Sequence, residues 1–212
     1  MKIGAIKLEA LGLMYPSEIP AYSTADTMDD AYANILSDYS EILARMTGSI
    51  ARCLDVIVER RVLSVKRLEL YLADAEKIGK MYKFDLSASL DFFDVDRVIM
   101  QAENAYNGYY PYRMEGKMLV LLSPDEAASF SLLYHPTVTP PSVWENDAEL
   151  VGVPDELARL IPYFIKGELF REEEPGEAAE AMAWFEQRLA SIAQKRTEKQ
   201  GKVASVYAQE AL

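Results

Sequence analysis

Hydrophobic positions repeat with a helical period at both ends of the chain and with a period of two in the middle, which predicts helices, then a sheet, then helices. In residues 3–14, Ile3, Ile6, Ala10 and Leu13 fall on one face of a short amphipathic helix that Pro16 and Pro20 end. Thr27 followed by Asp30 resembles a capping box with Asp in place of Glu. Behind it, Ala31, Ile35, Tyr39, Ile42 and Met46 mark a helix face, and Ile50, Cys53, Leu54, Ile57 and Val58 mark another. Thr47-Gly48-Ser49 predicts a break between the two.

From residue 67 the period becomes two. Leu68, Leu70 and Leu72 alternate with Arg67, Glu69 and Tyr71, the pattern of a half-buried strand. Met114-Glu115-Gly116-Lys117 predicts a tight turn between strands at 109–113 and 118–122, and Phe130, Leu132 and Tyr134 mark a further strand after Pro124-Asp125. Together these predict an antiparallel meander. Phe84, Phe92 and Phe93 are core candidates in the less regular stretch 81–105, where residues 91–96 read as a loop or one helical turn. Pro136, Pro140 and Pro141 make residues 136–152 an extended connection.

The helical period returns at Val153. Pro154 stands at a first helical position, where its missing N–H has no partner to lose, and Asp155 and Glu156 suit the positive end of the helix dipole. Leu157, Ile161, Ile165 and Leu169 recur every four residues, with Leu160 and Phe164 widening the stripe. Pro162 inside this stripe predicts a kink or a loosened start. After an acidic corner ending in Pro175-Gly176, Ala178, Met182, Phe185, Leu189 and Ile192 form the narrow seam of a second helix.

These elements predict an α+β protein: a helical bundle built from N- and C-terminal helices, with a small antiparallel β domain inserted between them. The expected divisions are 1–62 (helical), 63–152 (β-rich, with the proline-rich return loop), 153–195 (helices completing the bundle) and 196–212 (a flexible tail in which Gly201 interrupts any helix). The tail is sparse in apolar residues, so it lacks the burial that would offset its ordering entropy.

Charge narrows the function. The chain holds 34 Asp and Glu against 22 Lys and Arg, a net of −12. Residues 63–152 contain 14 acids and 8 bases, a net of −6 and half the total. Nucleic-acid binders draw affinity from cations that neutralise phosphates, and this balance argues against that class. Lys7 and Glu9 break the apolar stretch at the start, which argues against a secretory leader, and no run approaches membrane-spanning length. One cysteine, Cys53, permits no intramolecular disulfide and fits a reducing compartment.

Candidate chemistry is scarce. His135, the single histidine, sits at a strand end with no nucleophile motif beside it, and Cys53 reads as a small buried hydrophobe. Glu172, Glu173, Glu174 and Glu177, and Asp91, Asp94 and Asp96, lack the glycine and terminal glutamate of a calcium loop and read as solvated charge. Tyr106, Tyr109, Tyr110 and Tyr112 fit strand aromatics. No phosphate-cradling glycine loop is present. The sequence predicts neither catalytic nor metal-binding residues, and no cofactor.

Several features in register resemble the head-to-tail adaptor (connector) proteins of tailed bacteriophages. They are the N-terminal helical region, the stretch from Tyr110-Pro111-Tyr112 through Gly116 to Leu122, Phe130 to Tyr134, and above all Val153-Pro154 through Pro162, Gly167, Pro175 and Phe185-Glu186. The resemblance covers about residues 25–192. It implies a structural virion protein at the neck of the particle, assembled in the host cytoplasm as a dodecameric ring. Its partners would be the portal protein on one side and a tail, tail-terminator or nozzle protein on the other. DNA would pass through the lumen without specific binding, and no membrane is involved. An acidic lumen would repel phosphates and let DNA slide. Such proteins often grip the portal with a terminal extension, which makes Lys199, Lys202, Val203, Val206 and Tyr207 the candidate partner-binding residues, with Tyr207 as anchor. A non-viral cytoplasmic interaction module and a phage tail-completion protein remain alternatives.

Overall fold

The computed structural model describes residues 1–16, 39–89, 91–101, 108–141 and 144–209, with side chains described as far as Arg196. The expected capping box at Thr27 and Asp30, the face positions Ala31 and Ile35, and Tyr106 lie outside the described residues. The chain is α+β and divides into two compact units, residues 1–62 with 140–212, and residues 63–139. The return loop from residue 140 therefore belongs with the helices and not with the β-rich part, because its backbone is tied to the first helix.

In the helical unit, α1 (Ile3–Met14) was expected to bury one face, but it is buried on most sides. Ile3, Ile6, Leu8, Ala10, Leu11 and Met14 are all inside, whereas Leu13 is half-exposed. The reason is that two neighbours enclose it. Helix α4 (Ile161–Leu169) packs on it, and residues 146–148 accept hydrogen bonds from its start, Ile3 N–H to Ala148 O at 2.9 Å and Gly4 N–H to Asn146 O at 2.8 Å.

Helix α2 (Ser40–Glu59) is one uninterrupted helix. The expected break at Thr47-Gly48-Ser49 does not occur. A mid-helix glycine costs only about 1 kcal/mol relative to alanine, and the buried stripe Leu43, Met46, Ile50, Cys53, Leu54 and Ile57 runs straight across it. Its inner face is set by Leu43, and Ile42 is half-exposed.

The C-terminal pattern becomes three helices where two were expected: a single turn α3 (Asp155–Ala158), then α4, then α5 (Pro175–Gln209). Pro162 falls in the first turn of α4, where a missing N–H is tolerated, so the chain restarts a helix there and does not bend one. Leu157, Ile161, Phe164, Ile165, Phe185 and Leu189 are buried as their spacing implies. Ala181 takes the inner position beside them, while Met182, Leu169 and Ile192 are half-exposed. Helix α4 packs against α1, α2 and α5. The backbone of α5 stays helical through Gly201, contrary to the expected interruption, so the segment 196–209 continues the helix.

Among its described residues, the β-rich unit holds two four-stranded antiparallel sheets. One has the order β1 (Lys66–Leu70), β8 (Ser129–Pro136), β4 (Phe92–Gln101), β5 (Gly108–Tyr109). The other has β2 (Glu76–Ile78), β3 (Met81–Asp85), β7 (Met118–Leu122), β6 (Tyr112–Glu115). The β6–β7 hairpin forms as its turn residues imply, with Glu115 opposite Met118 and Gly116 at φ +63°.

The expected meander of at least three strands does not form. Residues 109–113 divide at Tyr110-Pro111 between two sheets, and β8 leaves the hairpin to pair with β1 and β4. Residues 92–96, read as loop or helix, are the start of β4, and Leu72 begins a 3₁₀ turn beyond β1. Buried residues of both sheets make one core, including Phe84, Val98, Leu119, Leu121, Phe130 and Leu132. Phe92 packs against it, but Phe93, on the opposite side of the strand, is exposed.

Candidate functional site

The residue types that could carry chemistry lie apart from one another. His135 ends β8 with its Nε2 3.7 Å from Asp96 Oδ1, an interstrand pairing of β8 with β4. Cys53 is fully buried on α2, and burial pushes its thiol well above the usual value, which keeps it protonated and unreactive. The three aspartates with calcium-like spacing are not gathered around a common centre. Asp91 pairs with Lys66 and accepts a 3.0 Å hydrogen bond from Tyr134, Asp94 accepts from the Val95 N–H, and Asp96 holds Arg97 at 2.5 Å.

Lys66, ahead of the Tyr134 hydroxyl, holds Asp91 below the ordinary carboxylate range, while burial and then Asp91 push the Tyr134 phenol up to about 12. Glu172, Glu173 and Glu174 are exposed in the turn between α4 and α5. Among the described residues, no group of three or more His, Cys, Asp or Glu is arranged to hold a metal ion.

The tyrosines also divide. Tyr110 is half-buried, packs edge-on against Phe130 and donates to Leu122 O at 2.6 Å, whereas Tyr109 is exposed and stacks with Arg97. These are sheet-building contacts.

What the fold does bring together is charge on the helical unit. Arg52 on α2 grips Glu168 on α4, with Nε to Oε1 at 2.8 Å and Nη2 to Oε2 at 2.7 Å. This two-pronged geometry suits the planar guanidinium and fixes the spacing of the two helices. The pair lies in an open cleft of about 400 Å³ with Arg45, Gly48 and Arg171 on its walls. A second open cleft of about 470 Å³ also has Ala44 in its lining, with Lys7, Leu43, Trp144, Glu145 and Asp147. Lys7 is only 6% exposed, and burial lowers its amine from the usual lysine value.

Sequence reasoning missed these clefts, because Lys7, Arg52 and Glu168 are distant in the chain and each looks like ordinary surface charge. Lys7 and Glu9, the two charges in the otherwise apolar α1, were the available signal.

The candidate docking residues Lys199, Lys202, Val203, Val206 and Tyr207 all fall on the last turns of α5, where the backbone alone is described. Their spacing of three and four puts them on one side of a continuous helix. Arg196, just before them, reaches back to Val62 O and to Glu156 Oε1 at 2.6 Å. No known protein family matches the chain, and no curated protein is similar to it. No described helix is long and apolar enough to cross a membrane.

Proposed function

We propose that this chain is a structural protein of a tailed-phage particle, a head-to-tail adaptor that forms a ring between the portal and tail components around the DNA channel. The observation that carries the reading is the division of the chain. Both ends contribute to one helical unit, and the β-rich unit is inserted between Val62 and Pro140. In this reading α1, α2, α4 and α5 form a bundle with α4 at its centre, rigid enough to hold position in a ring. The helical end of α5 is the extension that grips the portal, with Tyr207 as the anchor and Lys199 and Lys202 meeting acidic portal residues. Aromatic anchors often dominate such contacts, at about 2 kcal/mol or more on truncation.

The test is a pull-down with the portal protein from the same genome, using the full chain and a chain ending at Arg196. The full chain binds and the shortened, folded chain does not. Equal binding by both would remove the docking role of the helix end, and absence of binding by the full chain would count against the adaptor itself. Imaging the neck of the particle by electron cryomicroscopy locates the ring directly.

A further inference from the structure

Among the described residues, β1 is the longest edge strand of the β-rich unit. It ends its sheet, and its backbone ladder runs to β8 alone. In an antiparallel pair, alternate residues of the outer strand turn their N–H and C=O groups away from the sheet, open to a further strand. The other edges are shorter: β6 has four residues, β2 three and β5 two. The side chains of β1 divide by face. Leu68 and Leu70 turn to the core, whereas Arg67 and Glu69 stand on the outer face, with Arg67 Nε 2.6 Å from Glu69 Oε1. Both charged side chains stay open to solvent, 51% and 44% exposed.

The order Arg-Leu-Glu makes this edge complementary to itself. When two copies meet across a two-fold axis perpendicular to the sheet, facing residues lie on the same face. For any overlap of three residues or more, the axis then passes at Arg67, Leu68 or Glu69. An axis at Arg67 sets that guanidinium against its own copy, and an axis at Glu69 sets carboxylate against carboxylate. Like charges directly opposite destabilise a strand pair. The axis at Leu68 avoids both. It places Leu68 against Leu68 and Arg67 against Glu69 in each direction, and it is the register that pairs all five residues of the strand. Strand β6 carries the same order in Arg113, Met114 and Glu115. There, however, an axis at Met114 reaches the Gly116 turn after three paired residues, and Lys83 already holds Glu115 at 3.0 Å.

We propose that a second copy of this chain pairs with the β1 edge, antiparallel and in the register centred on Leu68, so that two four-stranded sheets become one sheet of eight strands. The two Leu68 side chains meet on the core face and join the cores of the two copies. On the outer face, each Arg67 lies between two carboxylates and each Glu69 between two guanidinium groups, an arrangement of four alternating charges that suits the planar fork of arginine. The two-fold axis closes the assembly at two copies. The pairing belongs to the free chain and does not rest on the adaptor reading.

The test uses the full chain. Sedimentation velocity of the unsubstituted protein shows a dimer that forms as concentration rises. Arg67→Glu and Glu69→Arg, each alone, set like charges opposite one another and weaken the dimer at least about tenfold. Mixing the two variants restores it, because one copy then carries two carboxylates and the other two guanidinium groups, matched in this register. On oxidation, Leu68→Cys gives a reducible covalent dimer and Met114→Cys does not, while the buried Cys53 gives none in the unsubstituted chain. Circular dichroism checks that each variant folds. A chain monomeric at every concentration, single charge variants that dimerise as well as the unsubstituted chain, a mixture that stays monomeric, or cross-linking at Met114 in place of Leu68 would each overturn the proposal. If Leu68→Cys does not fold, the exposed charge variants alone decide.

Discussion

Gly167 on α4 lies directly against Met182 on α5: a Cβ at Gly167 would come within 2.9 Å of Met182 Cε and 3.2 Å of its Cβ, with Ala178 O at 3.3 Å. The missing side chain is what lets the two helices approach, and one turn earlier along α4 Tyr163 stacks on Trp184 and Phe164 meets Phe185 edge-on at 5.2 Å. A larger residue has a flexible methyl to displace but also a backbone oxygen that cannot move alone. Gly167→Val is expected to destabilise the protein by about 1–3 kcal/mol, the usual cost of overpacking, and Gly167→Ala by less. Urea denaturation of the two variants checks the order.

Phe185 is completely buried where α5 meets α4. Replacing it with alanine leaves a cavity among side chains fixed by two helices, so Phe185→Ala should cost about 3–5 kcal/mol. Phe93→Ala, at an exposed position of β4, should stay within about 0.5 kcal/mol. Similar melting curves for wild type and Phe185→Ala would show that the seam is not a core.

Arg196 marks how far α5 can be shortened. It hydrogen-bonds Val62 O at the end of the first helical segment and pairs with Glu156. A chain ending at Lys195 should lose about 1.5 kcal/mol relative to one ending at Arg196, the value of a hydrogen bond from a charged donor. Thermal unfolding of the two truncated chains measures the difference, and equal midpoints would show that the contact contributes nothing.

Asp91 and Tyr134 set opposite pH limits on the β-rich unit. The Asp91 carboxyl is held below its usual value, chiefly by Lys66, so its contribution to stability is present above about pH 4 and is lost as the pH falls through the lower folded value. Tyr134 is pushed up to about 12, so the unfolded chain ionises first and stability falls as the pH rises from about 10 towards that value. Asp91→Asn removes the ion pair and should cost about 1 kcal/mol at neutral pH, with the difference from wild type shrinking below about pH 4. A constant difference across the acid range would exclude Asp91 as the source.

Local pattern reached a good deal of this protein by itself. The helices at 3–14 and after Asp155, the hairpin turn at Gly116, the strand of Phe130, Leu132 and Tyr134 and the burial of Leu157, Ile161 and Phe185 arise from spacing and turn chemistry, which act between near neighbours. Whether Gly48 breaks α2 was decided elsewhere, by core residues that pull on both sides of it and outweigh a cost of about 1 kcal/mol. Tertiary pairing likewise made residues 92–96 a strand, because β8 offered hydrogen bonds that no local signal announces, and it sent β8 away from the hairpin before it. The two charged clefts that share Ala44 belong wholly to this second kind. Lys7, Arg52 and Glu168 lie on three separate segments, and only the packing of α1, α2 and α4 brings them to neighbouring clefts.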